Sequence, residues 1–400
     1  MKIKLFISLV LFFSLVASNS VNAQWVLMNN GMGSGEVRTL ASNGNTIFAG
    51  KGNVFKSTNY GTLWTLSGIN AVIYSLAANG TNVFAGVWEN AQPRLYLSSN
   101  NGISWTLTSF NGWLVNALAA NGNNIFAGNT NHVHLSTDNG ITWNQTPLSA
   151  GDVYALTVYG NNVYAGNNGS VYYTTDNGTT WVQTSLTGRL VLSLAVNGNN
   201  IFAGTGNNYG VYRSTNNGSS WLQVGLGGRN VYSLAISGNT IIAGTYSYGI
   251  YVSTNNGTSW TQRNEGIINV SSELIRSLYI LNNYIFAGTS NYGVYRRPLG
   301  ELVAIQQISN QIPKEFSLSQ NYPNPFNPVT NVKFQMPIEA FVKLTVFDVL
   351  GNEVTVLVSQ QLNAGTYEVD FDGSNLSSGV YFYELKANEF VQTRKMMLVK

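Results

Sequence analysis

Acidic and basic side chains stand close together at two places in the first 300 residues. Glu36 lies two residues before Arg38, and Glu273 lies three residues before Arg276. Asp152 is a further isolated acid in this part of the chain. Two carboxylates about 5 to 9.5 Å apart could hydrolyse a glycosidic bond, whereas the arginines could hold an anion or sugar hydroxyls. The spacing leaves both chemistries open, together with ordinary surface ion pairs.

The two arginines belong to a set of side chains that share one position when the chain is aligned against itself. The set is Arg38, Tyr74, Asn116, Tyr154, Leu192, Tyr232 and Arg276. This position leads into the first strand of each repeat, and its residue type varies although the repeats are otherwise uniform. The variation predicts a ring of differing side chains near a central channel, and a polar ligand site in which tyrosine faces stack on sugar. Side chains that merely fill a channel are the alternative.

Two tryptophans offer a second candidate contact surface. Trp88 lies in an insertion at 86–94, between the second and third strands of its repeat, and Trp113 leads into the first strand of the next repeat. We expect both on the same face as the ring, where exposed tryptophans would contact a carbohydrate or a protein. Packing beneath the insertion is the alternative.

Seven other tryptophans indicate the elements that must position these residues. They are Trp25, Trp64, Trp105, Trp143, Trp181, Trp221 and Trp260, at intervals of 39, 41, 38, 38, 40 and 39 residues. From Trp64 onward each tryptophan closes a motif Ser/Thr-x-Asn/Asp-x-Gly-x-x-Trp, called the box below. Each repeat also holds four short apolar strands separated by Asn/Gly turns. A period of about 40 residues with four strands is typical of a β-propeller blade.

The two ends of the repeat region are incomplete in complementary ways. The last repeat, from Ile275, stops before its box, and Trp25 has no box in front of it. Pairing the first strand with the last repeat removes two exposed sheet edges. We therefore predict a seven-bladed β-propeller over residues 24–299, with the N-terminal strand closing the last blade. An open solenoid does not explain the complementary ends, and the strands are too short for a membrane barrel.

Two boxes, at residues 136–143 and 174–181, resemble the Asp-box or bacterial neuraminidase repeat of sialidases. The other four boxes carry asparagine where that repeat has aspartate. We assign the boxes a structural role, in which their tryptophans pack between blades: Trp64, Trp105, Trp143, Trp181, Trp221 and Trp260. Sialidases, as the resemblance implies, need an arginine triad and several acids. Acids are scarce here, so Glu36, Asp152 and Glu273 are only weak catalytic candidates.

A metal or cofactor site is not predicted. His132 and His134 have the spacing of a ligand pair, but His134 aligns with a phenylalanine or tyrosine of every other repeat. It is therefore predicted to be a packing aromatic. The sequence contains no cysteine, so it lacks both thiolate ligands and disulfides.

The repeat ends before Phe316, and alternating strands then predict a small antiparallel, immunoglobulin-like sandwich over 316–400, after a linker at 300–315. This region resembles the type A sorting domain of the type IX secretion system. Four segments together carry the resemblance: 322–328, 346–351, 376–381 and 395–400. The residues expected to carry the sorting signal are Tyr322, Pro323, Asn324, Pro325, Gly351, Gly379, Tyr381, Lys395 and Lys400. The resemblance implies type IX machinery as partner, a Gram-negative host, and passage from the periplasm to the cell surface or medium.

The N-terminus supports export. Residues 1–23 read as a signal peptide, because two lysines precede a short apolar run and small residues follow it. The run is shorter than the roughly 20 residues of a membrane span, and we expect no transmembrane segment after cleavage.

The charge pattern argues against nucleic acid as a partner. The net charge is only +3, and the first 300 residues have no lysine or arginine run.

The leading prediction is an exported, non-catalytic binding module for a glycan or surface protein. A secreted sialidase-like or related Asp-box glycosidase, and an assembly factor similar to the propellers that help photosystem II assemble, are the alternatives.

Overall fold

The computed structural model describes residues 24–149, 151–302, 306–309, 311–373 and 376–400. The predicted signal peptide, 1–23, lies outside these residues. The described chain is built almost entirely of antiparallel β-sheets, which confirms the all-β prediction. Its helical structure consists of two short 3-10 helices, η1 (Val270–Ser272) and η2 (Leu299–Leu302).

Seven four-stranded sheets, named I to VII, follow one another through the described part of residues 26–298. The strands in chain order are β1 (Val26–Leu27), β2 (Thr39–Asn43), β3 (Thr46–Gly50), β4 (Val54–Ser57), β5 (Thr65–Leu66), β6 (Val72–Asn79), β7 (Asn82–Glu89), β8 (Gln92–Ser98), β9 (Thr106–Leu107), β10 (Ala117–Asn121), β11 (Asn124–Gly128), β12 (His132–Ser136), β13 (Asn144–Ser149), β14 (Val153–Tyr159), β15 (Asn162–Asn167), β16 (Ser170–Thr174), β17 (Val182–Thr187), β18 (Val191–Asn197), β19 (Asn200–Thr205), β20 (Gly210–Ser214), β21 (Leu222–Gly225), β22 (Val231–Ser237), β23 (Thr240–Thr245), β24 (Ile250–Ser253), β25 (Thr261–Gln262), β26 (Ile275–Leu281), β27 (Tyr284–Thr289) and β28 (Val294–Pro298). Sheets I to VI take four consecutive strands each, from β2 to β25. Sheet VII has the order β1-β28-β27-β26.

The position of a strand in its sheet follows from its residue pattern. The second strands, such as β3 and β11, read as continuous apolar runs and are almost wholly buried, because a neighbouring sheet covers each of their faces. The fourth strands alternate instead: in β17, Thr184 and Leu186 are buried and the residues around them are exposed. The apolar interior therefore lies between sheets.

Neighbouring sheets pack so closely that the second strand requires glycine. A Cβ on Gly128 of sheet III would lie 2.6 Å from a Val153 methyl of sheet IV, and a Cβ on Gly288 of sheet VII would lie 2.9 Å from a Val37 methyl at the entrance of sheet I. The same type of contact therefore joins consecutive sheets and also joins the last sheet to the first. The sheets form a closed ring, which is consistent with a propeller.

The N-terminal strand closes this ring. Val26 and Leu27 of β1 pair with Arg296 and Tyr295 of β28, as expected from the two incomplete ends. Trp25 is 1% exposed, and its indole N–H donates to the Arg263 carbonyl at 2.8 Å. The two chain segments that form sheet VII lie more than 200 residues apart in sequence.

The boxes are hairpins that join third and fourth strands. In the box at 136–143, Ser136 accepts from the Gly140 N–H at 2.7 Å, and Asp138 accepts from the Thr142 N–H at 2.9 Å and from its hydroxyl at 2.6 Å. These bonds lower the pKa of Asp138 to about 2. Asp176 has equivalent partners and a pKa of about 2. Asn100, at the same position in an asparagine box, accepts from the Ser104 N–H at 2.9 Å.

We expect Asp138→Asn to fold with almost unchanged stability at neutral pH, because asparagine makes the backbone bonds in the other boxes. Asp138→Ala should lower the melting temperature by roughly a few degrees, since it leaves the turn N–H groups without their acceptor. The lowered pKa means that the aspartate stabilises the fold above pH 4 and loses this effect as pH falls through about 2. Thermal melts of both variants at pH 2 to 7 test this, and an equal loss in Asp138→Asn would contradict it.

The C-terminal unit is made of two further four-stranded sheets. Its strands are β29 (Gln306–Ser309), β30 (Ser317–Leu318), β31 (Val329–Met336), β32 (Ala340–Phe347), β33 (Glu353–Leu362), β34 (Gly365–Asp372), β35 (Gly379–Ala387) and β36 (Phe390–Leu398), in the orders β29-β34-β31-β30 and β33-β32-β35-β36. Side chains of both sheets, such as Phe334 and Leu344, share one buried core. Part of the expected linker, β29, pairs with β34, so this unit begins before residue 316.

Candidate functional site

Each sheet of the ring has two distinct ends. In sheet VI, Val231 at the start of the innermost strand pairs with Thr245, while Ser237 at its other end pairs with Thr240. The box follows the third strand and lies at the end occupied by Ser237. We call the end where the innermost strands begin the entry end, and the opposite end the box end. The aligned ring positions lie at the entry end, away from the boxes.

The innermost strands surround a central cavity of about 210 Å³, called the cup. Five of the seven aligned positions line it: Arg38, Tyr74, Asn116, Tyr154 and Tyr232. The position two residues further along a strand lies about 6.6 Å deeper in the ring. At that depth the lining is leucine in every sheet: Leu40, Leu76, Leu118, Leu156, Leu194, Leu234 and Leu278. The cup therefore has a polar mouth above an apolar floor.

The leucine floor was not anticipated from the sequence, although its signal is there, since leucine recurs two residues after every aligned position. Between mouth and floor, hydroxyl side chains join neighbouring sheets. Ser75 donates to the Val115 carbonyl at 2.7 Å and Ser233 to the Ile275 carbonyl at 2.9 Å. These bonds hold the innermost strands in place around the cup.

A three-residue ion cluster lies at the junction of sheets VII and I. Glu36 bonds Arg38 through one carboxylate oxygen at 2.7 Å and Arg276 through the other at 2.8 Å. About 30% of each side chain is exposed. The Arg38 guanidinium lies 4.7 Å from the ring centroid of Tyr74, so one face of this tyrosine is already covered. The two arginines carry one more positive charge than the carboxylate neutralises.

The other two candidate acids have different surroundings. Asp152 accepts a hydrogen bond from the Tyr154 hydroxyl at 3.1 Å, and burial and this bond raise the pKa of the tyrosine. Glu273 does not join Arg276 in an ion pair. It is fully buried and accepts from the Ser290 hydroxyl at 2.7 Å and the Asn291 N–H at 3.0 Å. Its carboxylate therefore anchors a loop of sheet VII.

The two candidate tryptophans differ in exposure. Trp113 is 67% exposed in the loop before sheet III, whereas Trp88 is 40% exposed. Trp88 belongs to β7, where it pairs with Val72 and Pro93 in a hairpin that extends beyond the other sheets. The hairpin is tied by Glu89, which bonds Arg94 at 3.2 Å. Both tryptophans lie at the entry end.

The histidines pack as aromatics. The His134 ring meets Phe110 edge-on at a centroid distance of 5.1 Å, and burial lowers the pKa of His134. Within the described residues no group of three His, Asp or Glu side chains could hold a metal ion.

The box tryptophans mostly reach the sheet before their own. The indole N–H groups of Trp64, Trp221 and Trp260 donate to Met28, Thr184 and Val224, at 2.8 to 3.2 Å. Trp105 donates to the Ser67 carbonyl. Trp143 bonds within its own box, to Gly140, and the Trp181 N–H is buried without a partner. The boxes thus help to join sheets.

A larger cavity, of about 590 Å³, lies where loops of sheets VI and VII face the C-terminal unit. Its walls include Leu299, Val356 and Phe371, and no member of the aligned ring. None of the predicted ligand-binding residues lines it, whereas five of them line the cup, so the cup is the candidate site.

The sorting motifs cluster at one end of the C-terminal unit. The proline-rich loop bonds the last strand through the Asn324 side chain, which accepts from the Met397 N–H at 2.9 Å. Phe326, 2% exposed, also exchanges backbone bonds with residues 397 and 399. Tyr322 is 81% exposed beside this junction. Gly351 takes a positive φ of 81° in an exposed hairpin closed by Asp348, and Tyr381 donates to the Ser377 carbonyl.

The remaining signal residues lie in the last two strands. Gly379 begins β35, Lys395 is exposed on β36, and the Lys400 N–H donates to Ser378 at 3.0 Å. This joining of first loop and last strand makes one continuous surface from residues about 75 positions apart.

Residues 320–400 match the secretion system C-terminal sorting domain. The predicted sorting domain is thereby confirmed, and a tail of this type implies secretion to the cell surface or medium.

Several solved structures are similar to this chain in fold. YCF48 from Cyanidioschyzon merolae shares 13% identity, with a TM-score of 0.57 over 70% of this chain and 100% of that chain. YCF48 bound to D1 peptide shares 12% identity, with a TM-score of 0.56 over 69% of this chain and 95% of that chain. PorZ is an essential bacterial surface component of the type IX secretion system of Porphyromonas gingivalis. It shares 14% identity, with a TM-score of 0.52 over 92% of this chain and 60% of that chain.

A further solved structure shares the fold. The extracellular domain of a putative one-component system from B. thetaiotaomicron gives 16% identity and a TM-score of 0.57, over 78% of this chain and 45% of that chain. Identities this low establish likeness of fold alone. A comparison with curated proteins finds no match for this chain. In the described part of the chain, no helix has the length and apolar character needed to cross a membrane.

Proposed function

We propose that this protein is an exported, non-catalytic binding module. The seven sheets are the blades of an Asp-box β-propeller, and the C-terminal unit is an immunoglobulin-like sandwich that directs type IX secretion after signal-peptide cleavage. The propeller then binds a polar ligand, a glycan or a surface protein, at the mouth of the cup.

The cup is the observation that carries the binding role. Its mouth is lined by Arg38, three tyrosines and Asn116, and its floor is apolar in every sheet. Glu36 joins Arg38 to Arg276 beside the mouth. Glu36 fixes both guanidinium groups before any ligand arrives, which lowers the entropy cost of binding. Arg38 and Arg276 retain further N–H donors for carboxylates or hydroxyls. Such a mouth suits a polar group that reaches into the ring.

The environment of the acids favours binding over catalysis. A glycosidase needs two carboxylates that face the scissile bond. Here Glu36 is shared between two arginines, Asp152 accepts from Tyr154, and Glu273 is buried against Ser290. Each of these carboxylates is already bonded to a partner within the protein.

A protein ligand is a second candidate, as for an assembly factor. YCF48 binds D1 peptide and PorZ belongs to the secretion machinery, and both share this fold. The entry end also exposes Trp88 and Trp113, and tryptophan is enriched in protein contact surfaces.

The double variant Arg38→Ala/Arg276→Ala is expected to weaken ligand binding by about 10- to 100-fold, the effect of losing charge-assisted bonds. Glycan arrays and protein pull-downs with the secreted chain would identify the ligand. Tyr154→Phe, which keeps the ring, should have a smaller effect. Arg213→Ala is the matched control, because Arg213 bonds Asn200 at the box end. Unchanged binding in the double variant, with melting temperature preserved, would rule out the cup as the site.

A further inference from the structure

Two other arginines at the entry end, Arg189 and Arg229, lie outside the cup. Each stands eight residues after a box tryptophan, directly behind a glycine, in the segment that leads into an innermost strand. Their guanidinium carbons lie 4.0 Å and 4.8 Å from the ring centroids of Tyr209 and Tyr248. The repeat therefore places the same arginine-on-tyrosine pair on sheets V and VI. We call these four residues the rim.

Hydrogen bonds fix both guanidinium groups in the same pattern. Arg189 donates from Nε to the Tyr212 hydroxyl at 3.1 Å, and Arg229 donates from Nε to the Tyr251 hydroxyl at 3.0 Å. In each arginine Nη1 donates to a nearby backbone carbonyl, at 3.0 and 3.3 Å. These bonds do not use Nη2, which carries two N–H donors. The side chains are thus held in place with donors to spare.

Neither rim arginine has an acidic partner in the described chain. The acids of residues 24–302 are all engaged elsewhere, namely Glu36, Glu89, Asp138, Asp152, Asp176, Glu265, Glu273 and Glu301. Two positive charges therefore remain uncompensated on adjacent sheets. Fixed cations without counter-charges favour an anionic ligand.

The two pairs form one continuous surface. The Gly210 N–H, directly after Tyr209, donates to the Arg229 carbonyl at 3.1 Å. Tyr209 and Tyr248 are 38% and 44% exposed. An extended ligand that lies along the entry end would therefore meet a cation and an aromatic ring on sheet V and again on sheet VI.

We propose that the rim binds an anionic polysaccharide, with acidic groups on Arg189 and Arg229 and sugar rings against Tyr209 and Tyr248. The surroundings favour a glycan over an acidic peptide. They consist of tyrosine rings and polar turns, such as the Asn208 N–H bonded to the Asn230 side chain at 2.8 Å. Aromatic rings and amide groups suit the apolar faces and hydroxyls of sugars. This inference depends on the proposed binding role only in using the same end of the ring.

The test uses the secreted full chain and four polymers: polygalacturonate, dextran sulfate, neutral dextran and polyglutamate. We expect binding of polygalacturonate and dextran sulfate, weakened by salt, and no binding of dextran. The variant Arg189→Met/Arg229→Met should bind polygalacturonate and dextran sulfate about tenfold or more weakly than the unaltered chain. Arg296→Met is the matched control. It removes one positive charge, against two in the rim variant, from an arginine that also stacks on a tyrosine, Tyr284, but bonds the Tyr60 carbonyl at the box end.

Each outcome decides for or against the rim. Tyr209→Leu/Tyr248→Leu keeps both charges, and a several-fold loss there supports a built site rather than net charge. Equal losses in Arg296→Met and the rim variant would overturn the proposal, as would polyglutamate binding as tightly as the acidic glycans. If Arg38→Ala/Arg276→Ala abolishes polygalacturonate binding while the rim variant binds it normally, the rim fails and the polymer binds at the cup. The reverse result supports the rim as the polymer site, and the glycan arrays and pull-downs with the Arg38→Ala/Arg276→Ala variant decide the cup. Melting temperatures of all variants check that each is folded.

Discussion

Removal of residues 316–400 is expected to abolish secretion and to leave the propeller in the periplasm. The sorting domain is the part of the chain that the secretion machinery is expected to read, and the matched segment spans 320–400. The loss should be at least about tenfold in the extracellular fraction, measured by immunoblot of medium, cell surface and periplasm. Truncated protein at normal level in the medium would contradict the assignment.

Sharper variants separate recognition from folding. Tyr322→Ala removes an 81% exposed side chain and should lower secretion without unfolding the unit. Leu398→Asp places a charge in the buried core, where Leu398 is 1% exposed, and should prevent folding. A reporter fused to residues 306–400 should be secreted better than one fused to 316–400, because only the longer tail contains β29.

Loss of the closing tryptophan is expected to destabilise the ring strongly. Trp25→Ala removes a fully buried indole that packs in sheet VII and donates to Arg263. Such truncations cost about 3–5 kcal/mol. Weakening of β1 also uncovers the edge of β28, which invites association between copies. Urea unfolding of the purified chain and size-exclusion chromatography measure both effects.

Trp113→Ala provides the control for this change. Trp113 is 67% exposed, so its removal should change the unfolding free energy by less than about 0.5 kcal/mol. If Trp25→Ala unfolds at the same urea concentration as Trp113→Ala, and stays monomeric, β1 does not hold the ring closed. Such a result would also weaken the proposed seven-bladed closure.

Much of the architecture could be predicted because its causes are local or periodic. A box forms from bonds within eight residues, as Ser136, Asp138 and Gly140 show, so its sequence can be read directly. The pairing of β1 with β28 followed from two incomplete repeats. The sorting domain was recognisable since its motifs occur in order within 85 residues.

The sequence by itself determined the repeat, the order of its strands and the C-terminal sorting domain. Only the tertiary structure decided which side chains meet at the entry end. Glu36 shares its carboxylate between Arg38 and Arg276, 238 residues apart, because the ring brings sheet VII against sheet I. Glu273, only three residues before Arg276 in sequence, is buried against Ser290 instead. Spacing along a strand is set locally, whereas these contacts depend on how the sheets close around the axis.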